Sequence, residues 1–279
     1  MSPASTVWLN GRFLPMDEAR ISPMDRGFIY GDGFFETIRA QEGKILWPRL
    51  HLERLEASLC EFCITLSPVP DWEAIARRLL DENGLSDQIA AIKIIVTRGV
   101  STRLGLPEAT APTVFVTAVS YDPPVGLYEQ GCKLHICREG FASPLAGFKA
   151  LNYLYNLRAR QLALDAGCDM AILLDPQGRV TETCTGSLLA HTDNLWWTPE
   201  SPFQLPGTGI RTLASLMEKA GMAIRARAAG PEDFCLADTV WVLNSMIGIM
   251  PVAQIDGKPV PKLCAGQAAY WRQRLFEQG

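Results

Sequence analysis

The chain has 279 residues, is 48% hydrophobic and carries a formal net charge of −4. That length and apolar content support a full core spread over two domains. A sequence pI near 5.5 with scattered basic residues provides no stripe for phosphate backbones, so nucleic acid is excluded as an expected partner. No apolar run reaches the roughly 18–20 residues that span a bilayer, and MSPASTVWLNGR lacks the charged start and apolar stretch of a secretory leader, so no membrane contact and a cytoplasmic location are expected.

The strand and helix signals mix along the chain, giving an α/β (α+β) class. VWLNGRFL places Asn10 and Gly11 between two β-prone arms, the strongest short hairpin signal because both turn positions need positive φ. GFIYGDGFFETIRAQEGKILW reads as two more strand-like arms around Glu42 and Gly43. Helices are expected near residues 51 to 64 and 72 to 83, the second opening after Asp71 and ending at Gly84. IKIIV (92 to 96) and TVFVTAV (113 to 119) return to strand character.

SYDPPVG, with Pro123 and Pro124, breaks both periodicities and is expected to link a domain over residues 1–121 to a second over 122–279, within about 119–126. Beyond it KLHICRE reads as a strand, residues 152 to 166 as a helix with Leu154, Leu157 and Leu164 on one side, and MAILLD as a buried strand. VTETCTGSLLAHTDNLWW reads as a pair of strands, residues 209 to 220 as a helix ending at Gly221, and WVLNSMIGIMPVAQIDG as further strand. Eight cysteines at irregular spacings are expected as free thiols. Cys60 and Cys63 form a CxxC on a helix without a second pair or nearby histidines, so Cys63 reads as core, Cys60 as helix surface or packing, and no metal site is expected.

Lys149 follows Gly147 and Phe148 and precedes Ala150 and Leu151. Poor hydration disfavours the ammonium form and makes the amine available as nucleophile and proton carrier; the alternative is an ordinary surface lysine ahead of a helix. Thirty-three positions on, Glu182 lies in RVTETCTG, on the face of Val180. A lysine that forms an imine and a carboxylate that keeps a pyridine nitrogen protonated are what an enzyme holding pyridoxal phosphate requires, although a solvated strand glutamate reads the same way. LPGTGIRTLASLMEKAG runs from a glycine-rich turn into a helix, so the amides around Gly209 and Ile210 suit a phosphate. Arg54 in HLERL and Ser245 are candidates for the same phosphate, each also readable as a surface or capping residue. VTRGVSTRLG presents Arg98 and Arg103 at a strand end, where two guanidinium groups suit a substrate with carboxylates or simply face solvent.

With these residues assembled, the chain resembles the fold type IV pyridoxal phosphate enzymes, the class IV aminotransferase family, which includes branched-chain and D-amino-acid aminotransferases and 4-amino-4-deoxychorismate lyase. The resemblance rests on DRGFIYGDGFFETIR (25 to 39), HLERL (51 to 55), VTRG (96 to 99), KALN (149 to 152), LLDPQGRVTE (173 to 182), LPGTGIR (205 to 211) and NSMIGIMPV (244 to 252), in the family's order. It implies pyridoxal 5'-phosphate as cofactor, Lys149 as Schiff-base lysine, Glu182 as pyridine partner, and Arg54, Gly209, Ile210 and Ser245 at the phosphate. Phe35, Arg98, Arg103 and Asn244 would contact a small carboxylate-bearing amine. It further implies a homodimer and two domains, a smaller N-terminal α/β sandwich and a larger C-terminal pseudo-barrel. NSMIGIMPV is similar to the lyase members, and KALN suits the lyase and is shared with D-amino-acid aminotransferases, which makes the lyase the expected activity and a transaminase the alternative. VSTRLGL and TETCTGSLL depart from the family pattern where a substrate would be read.

Overall fold

The computed structural model describes residues 5–109 and 111–278. The chain forms two compact units: one runs to Asp122 and takes in Phe148–Asn152, the other comprises Pro123–Gly147 and Tyr153–Gln278. A linear division near residue 121 thus assigns Phe148–Asn152, which carries Lys149, to the other unit; the reason is backbone pairing, described below.

The first unit contains β1 (Thr6–Leu9), β2 (Arg12–Pro15), α1 (Arg26–Tyr30), β3 (Gly33–Gln41), β4 (Lys44–Ile45), α2 (Pro48–Glu61), α3 (Trp72–Glu82), β5 (Ile89–Thr97) and β6 (Thr113–Ser120). Its sheet has the order β2-β1-β6-β5-β3-β4 and every pairing is antiparallel. Asn10 and Gly11 close the β1–β2 hairpin at φ 46° and 90°, the positive values a two-residue turn requires. Helix α3 buries Trp72, Ile75, Ala76, Leu79 and Leu80, the i, i+3, i+4, i+7, i+8 face of an amphipathic helix. Asp71 caps it by accepting from the Ala74 N–H at 3.0 Å. This face joins Phe34, Ile38, Ile92, Ile94 and Val116 of the sheet in one core, each fully buried aliphatic contributing about 1.5–3 kcal/mol.

Two expectations change here. GFIY is helical rather than a strand arm, because Asp25 accepts the Gly27 N–H at 2.7 Å and Gly31 ends the turn at φ 66°; capping at both ends overrides the β preference of Phe28, Ile29 and Tyr30. Cys63 is exposed rather than core: α2 stops at Glu61, and Cys63 takes φ 53° in the turn beyond it.

The second unit contains α4 (Val125–Gln130), β7 (Cys132–Cys137), α5 (Leu154–Asp165), β8 (Met170–Leu174), β9 (Val180–Thr183), β10 (Ser187–Thr192), β11 (Leu195–Pro199), α6 (Thr208–Lys219), β12 (Ile224–Arg227), α7 (Pro231–Cys235), β13 (Thr239–Asn244), β14 (Gly248–Ile255), β15 (Lys258–Pro259) and α8 (Ala265–Glu277). Its sheet runs β12-β11-β10-β13-β14-β7-β8-β9, with β15 on β14. The sheet curls until its ends meet, where the Val180 N–H of β9 donates to Ala229 O just beyond β12 at 2.8 Å. The fold is thus the expected mixed α/β type.

Helix α5 carries its three leucines on one side, as expected, and that side is the exposed one. Leu154, Leu157 and Leu164 are 78%, 57% and 48% exposed, while Ala159 and Ala163 are buried. Small residues let the helix axis approach β7 and β8, and leucine spacing alone does not tell inward from outward. Helix α8 was not anticipated; it buries Ala268, Trp271 and Leu275, and Arg272 lies 3.7 Å over the Tyr128 ring. No described helix is long and apolar enough to cross a membrane.

Candidate active site

The lysine half is built on an open sheet edge. β4 pairs with β3 only at Ala40 and Gln41, which leaves the start of β3 available on that side. The segment after Phe148 fills it: the Phe35 N–H donates to Lys149 O at 2.9 Å and the Leu151 N–H to Gly33 O at 3.0 Å. Gly33 is required there, since an added Cβ would press on Val96 O and Leu151. Asn152 donates its amide to Gly31 O at 3.0 Å. The half-buried Lys149 is thus fixed through its backbone on both sides, and its Nζ lies 4.4 Å from the centre of the Phe35 ring, a favourable cation–π distance. Phe148 packs at 5.0 Å against Phe62 and 6.3 Å against Phe34.

Beneath this edge lies a buried charge cluster that sequence reading missed. Glu36 shares the parity of Phe34 and Ile38 on β3 and so points into the core toward α2. Arg54 donates Nε to Glu36 Oε1 and Nη2 to Oε2, both at 2.7 Å, and His51 Nδ1 is 2.6 Å from Oε2. An ionised carboxylate can only accept, so Nδ1 carries the proton. Burial pushes the His51 imidazole below its ordinary value, the Glu36 hydrogen bond opposes this, and the nearby charges of Arg54 and Lys149 add to it. Burial works to raise Glu36, but the hydrogen bonds from His51 and Arg54 and the Arg54 charge outweigh it and hold the carboxyl below its usual range. The cluster therefore holds an anion, a cation and a neutral imidazole. The available signal was a glutamate on the apolar face of a strand, followed by His and Arg at i, i+3 on a helix.

The second unit carries the remaining candidates. Glu182 sits half-buried on β9 between the buried Thr181 and Thr183. The turn after it is tied down by the Tyr153 hydroxyl and the Asn156 amide, which donate to Cys184 O at 3.0 and 3.2 Å; Tyr153 carried no sequence signal beyond its place after KALN.

Helix α6 starts at Gly207 with no side-chain cap, and its first turn is buried at Thr208 and Gly209. The first intrahelical bond is Arg211 N–H to Gly207 O, so helix geometry leaves the Gly209 and Ile210 amides without an intrahelical acceptor. Gly207 packs on Ser187 Oγ, and a Cβ at Gly209 would lie 3.5 Å from Asn244, which brings Ser245 to the same place. An uncapped, glycine-lined helix start beside a serine suits a phosphate, Lys149 suits an aldehyde and Glu182 a protonated ring nitrogen. The residues present fit pyridoxal phosphate.

One predicted substrate contact is corrected. Arg98 is 1% exposed, and its donors are engaged by Asp32 Oδ2 at 2.8 Å, Pro107 O at 2.8 Å and Phe62 O at 2.9 Å; a fully buried guanidinium needs such acceptors and cannot face a substrate. Asn244 is partly buried, accepts from the Met246 and Ile247 N–H groups at 2.9 and 2.8 Å and donates to Thr185 O at 3.1 Å; it shapes the turn carrying Ser245. Arg103 is exposed. Among the described residues no group of acidic, histidine or cysteine side chains could hold a metal.

Comparison with known proteins agrees with this chemistry. The amino-transferase class IV family profile matches residues 33–255. The chain is 30% identical over 279 residues to the D-alanine aminotransferase of Staphylococcus epidermidis, covering 98% of this chain and 96% of that one. It is also 30% identical over 261 residues to the aminodeoxychorismate lyase of Vibrio harveyi, covering 89% and 91%. The T.th. branched-chain amino acid aminotransferase, solved in complex with N-(5'-phosphopyridoxyl)-L-glutamate, superposes with a TM-score of 0.86 at 25% identity, covering 98% and 93%. The chain belongs to the class IV aminotransferases and is a fold type IV enzyme with pyridoxal 5'-phosphate as its cofactor.

Proposed function

We propose that the protein is a lyase that converts 4-amino-4-deoxychorismate to 4-aminobenzoate and pyruvate. The observation that carries this reading is the similarity of NSMIGIMPV to the lyase members, in which block the Asn244 carboxamide bridges Thr185 O and the amides of Met246 and Ile247. A serine or threonine hydroxyl has one donor and no second polar atom with which to make these three bonds, so the asparagine of NSMIGIMPV is tied to this form of the Ser245 turn. Bound pyridoxal phosphate draws off the electrons left when a proton departs from the carbon bearing the substrate amine.

The chain's own residues divide the work. Lys149 Nζ would hold the cofactor, and as a free amine it takes the proton from the amine-bearing carbon and returns one to the departing three-carbon group. Glu182 keeps the ring nitrogen protonated. The Gly209 and Ile210 amides, Ser245 and Arg54 bind the phosphate, with Arg54 oriented by Glu36. Phe35 underlies Lys149, and the exposed Arg103 reads a substrate carboxylate.

Incubation of the purified holoenzyme with 4-amino-4-deoxychorismate is expected to release 4-aminobenzoate and pyruvate in equal amounts. Absence of both, with transfer of the amino group of D-alanine or a branched-chain amino acid to a keto acid, would replace the lyase by a transaminase. That second reading is supported by the D-alanine aminotransferase relative, which matches over 98% of this chain, and shares every step up to proton removal.

The same proposal includes a homodimer in the cytoplasm. Phe28, Leu104 and Leu154 are 78%, 85% and 78% exposed, large apolar side chains of the kind that a second copy would cover. Light scattering at micromolar concentration is expected to give twice the 30.7 kDa chain mass; a monomer at that concentration removes this part.

A further inference from the structure

Arg98 shares its buried carboxylate with a second arginine. Arg26 and Arg98 direct their Nε atoms to the same oxygen, Asp32 Oδ2, at 2.7 and 2.8 Å. The side chains of Arg26, Arg98 and Asp32 are 6%, 0% and 9% exposed. Two buried guanidinium groups share one carboxylate oxygen in a site with little water, so their remaining N–H donors must be met by other oxygens.

Those oxygens come mainly from one loop. Arg26 Nη1 donates to Arg103 O and Nη2 to Gly105 O, at 2.6 and 2.8 Å, and Arg98 Nη1 donates to Pro107 O at 2.8 Å. The acceptors fall at every second residue, 103, 105 and 107, so this stretch turns alternate carbonyls inward. The side chains at Arg103, Leu104 and Leu106 are exposed. Three backbone contacts close the frame: Asp32 N–H to Arg26 O, Arg98 N–H to Asp32 O and Arg26 N–H to Gly99 O, at 3.2, 3.1 and 2.9 Å. Withdrawing the loop would strip charge-assisted acceptors from both guanidinium groups at once.

We propose that Arg26, Asp32 and Arg98 are positioning residues that hold the 101–107 loop in a single conformation and thereby fix the direction in which Arg103 meets a substrate carboxylate. The hydrogen bonds from the two guanidinium groups to the loop carbonyls are the holding force. The part concerning the substrate rests on the reading of Arg103 given above; the part concerning the loop does not.

The test uses the holoenzyme and its Arg98→Lys variant, which keeps the charge but loses the planar fork that serves Asp32 and the carbonyls together. Amide exchange across residues 101–108 is expected to accelerate at least about tenfold. KM for 4-amino-4-deoxychorismate, or for D-alanine if the enzyme proves a transaminase, should rise about tenfold with kcat within about threefold. The visible spectrum of the bound cofactor should not change. Unchanged loop exchange, or a kcat loss equal to the KM effect with an altered spectrum, overturns the proposal.

Gly105→Ala provides a second route if Arg98→Lys does not fold. Nothing lies within 4 Å of an added Cβ, but φ is +80°, so the change strains only the backbone that aims Gly105 O at Arg26. It should speed exchange in the same residues, and unaltered exchange counts against the frame. Arg103→Ala separates the two parts: an unchanged KM there, with faster exchange in Arg98→Lys, overturns the carboxylate reading and leaves the frame supported.

Discussion

Replacing Lys149 with alanine is expected to lower turnover by about 10^4-fold or more, since the amine serves both as nucleophile and as the base that moves the substrate proton. The fold should persist, because the segment is held by the Lys149 carbonyl, the Leu151 amide and the Phe148 ring, none of which the substitution removes. The variant should still bind pyridoxal phosphate through the phosphate contacts, with the absorbance of free rather than lysine-linked cofactor. Turnover within tenfold of the parent, with the parent's spectrum, would remove Lys149 from the chemistry. Lys149→Arg keeps the charge over Phe35 but not the nucleophile, and should be as inactive as the alanine variant.

Glu36→Ala is expected to be the most damaging single change to stability outside the apolar cores. It leaves the Arg54 charge and the His51 ring buried without the carboxylate that satisfies both, a loss of about 3–5 kcal/mol for a broken buried ion pair, read by urea unfolding at pH 7. Glu36→Gln, which keeps the shape and one acceptor, should lose less. An alanine variant within about 1 kcal/mol of the parent would mean that water reaches the cluster.

The same cluster sets a pH dependence. His51 is depressed in the folded protein from an ordinary value of 6.5 and Glu36 from 4.5. In each case the unfolded chain takes up the proton first on acidification, so stability is fully present above the ordinary value and is lost as pH falls toward the folded one. Melting temperature should therefore decline as pH drops below about 6.5 and again below about 4.5. His51→Gln should abolish the upper step and leave the lower.

What could be read in the sequence followed from how local the cause was. The Asn10–Gly11 turn, the α3 stripe closed by Asp71, and the glycine entry to α6 each depend on residues within one or two turns of chain, where φ preference, periodicity and capping decide the outcome. Glu36 was legible in principle, as a charge on an apolar strand face, but its partners were not: Arg54 lies eighteen residues away and His51 fifteen. The leucines of α5 show the limit of periodicity, which defines a stripe without saying which side the sheet takes.

Neighbouring residues were thus enough to set the local elements, the mixed α/β class, and a lysine and a glutamate of the types that pyridoxal phosphate chemistry needs. Long-range contacts settled which polar groups remain for a ligand. Arg98 and Arg103 look alike in VTRGVSTRLG, yet Asp32, 66 positions from Arg98, claims the guanidinium of one, while the other lends its carbonyl to Arg26, 77 positions away, and leaves its side chain exposed. Asn244 finds its acceptor in Thr185 O, 59 positions distant. A buried polar group must find its partner wherever the fold brings one, and that choice is not written in the adjacent stretch of chain.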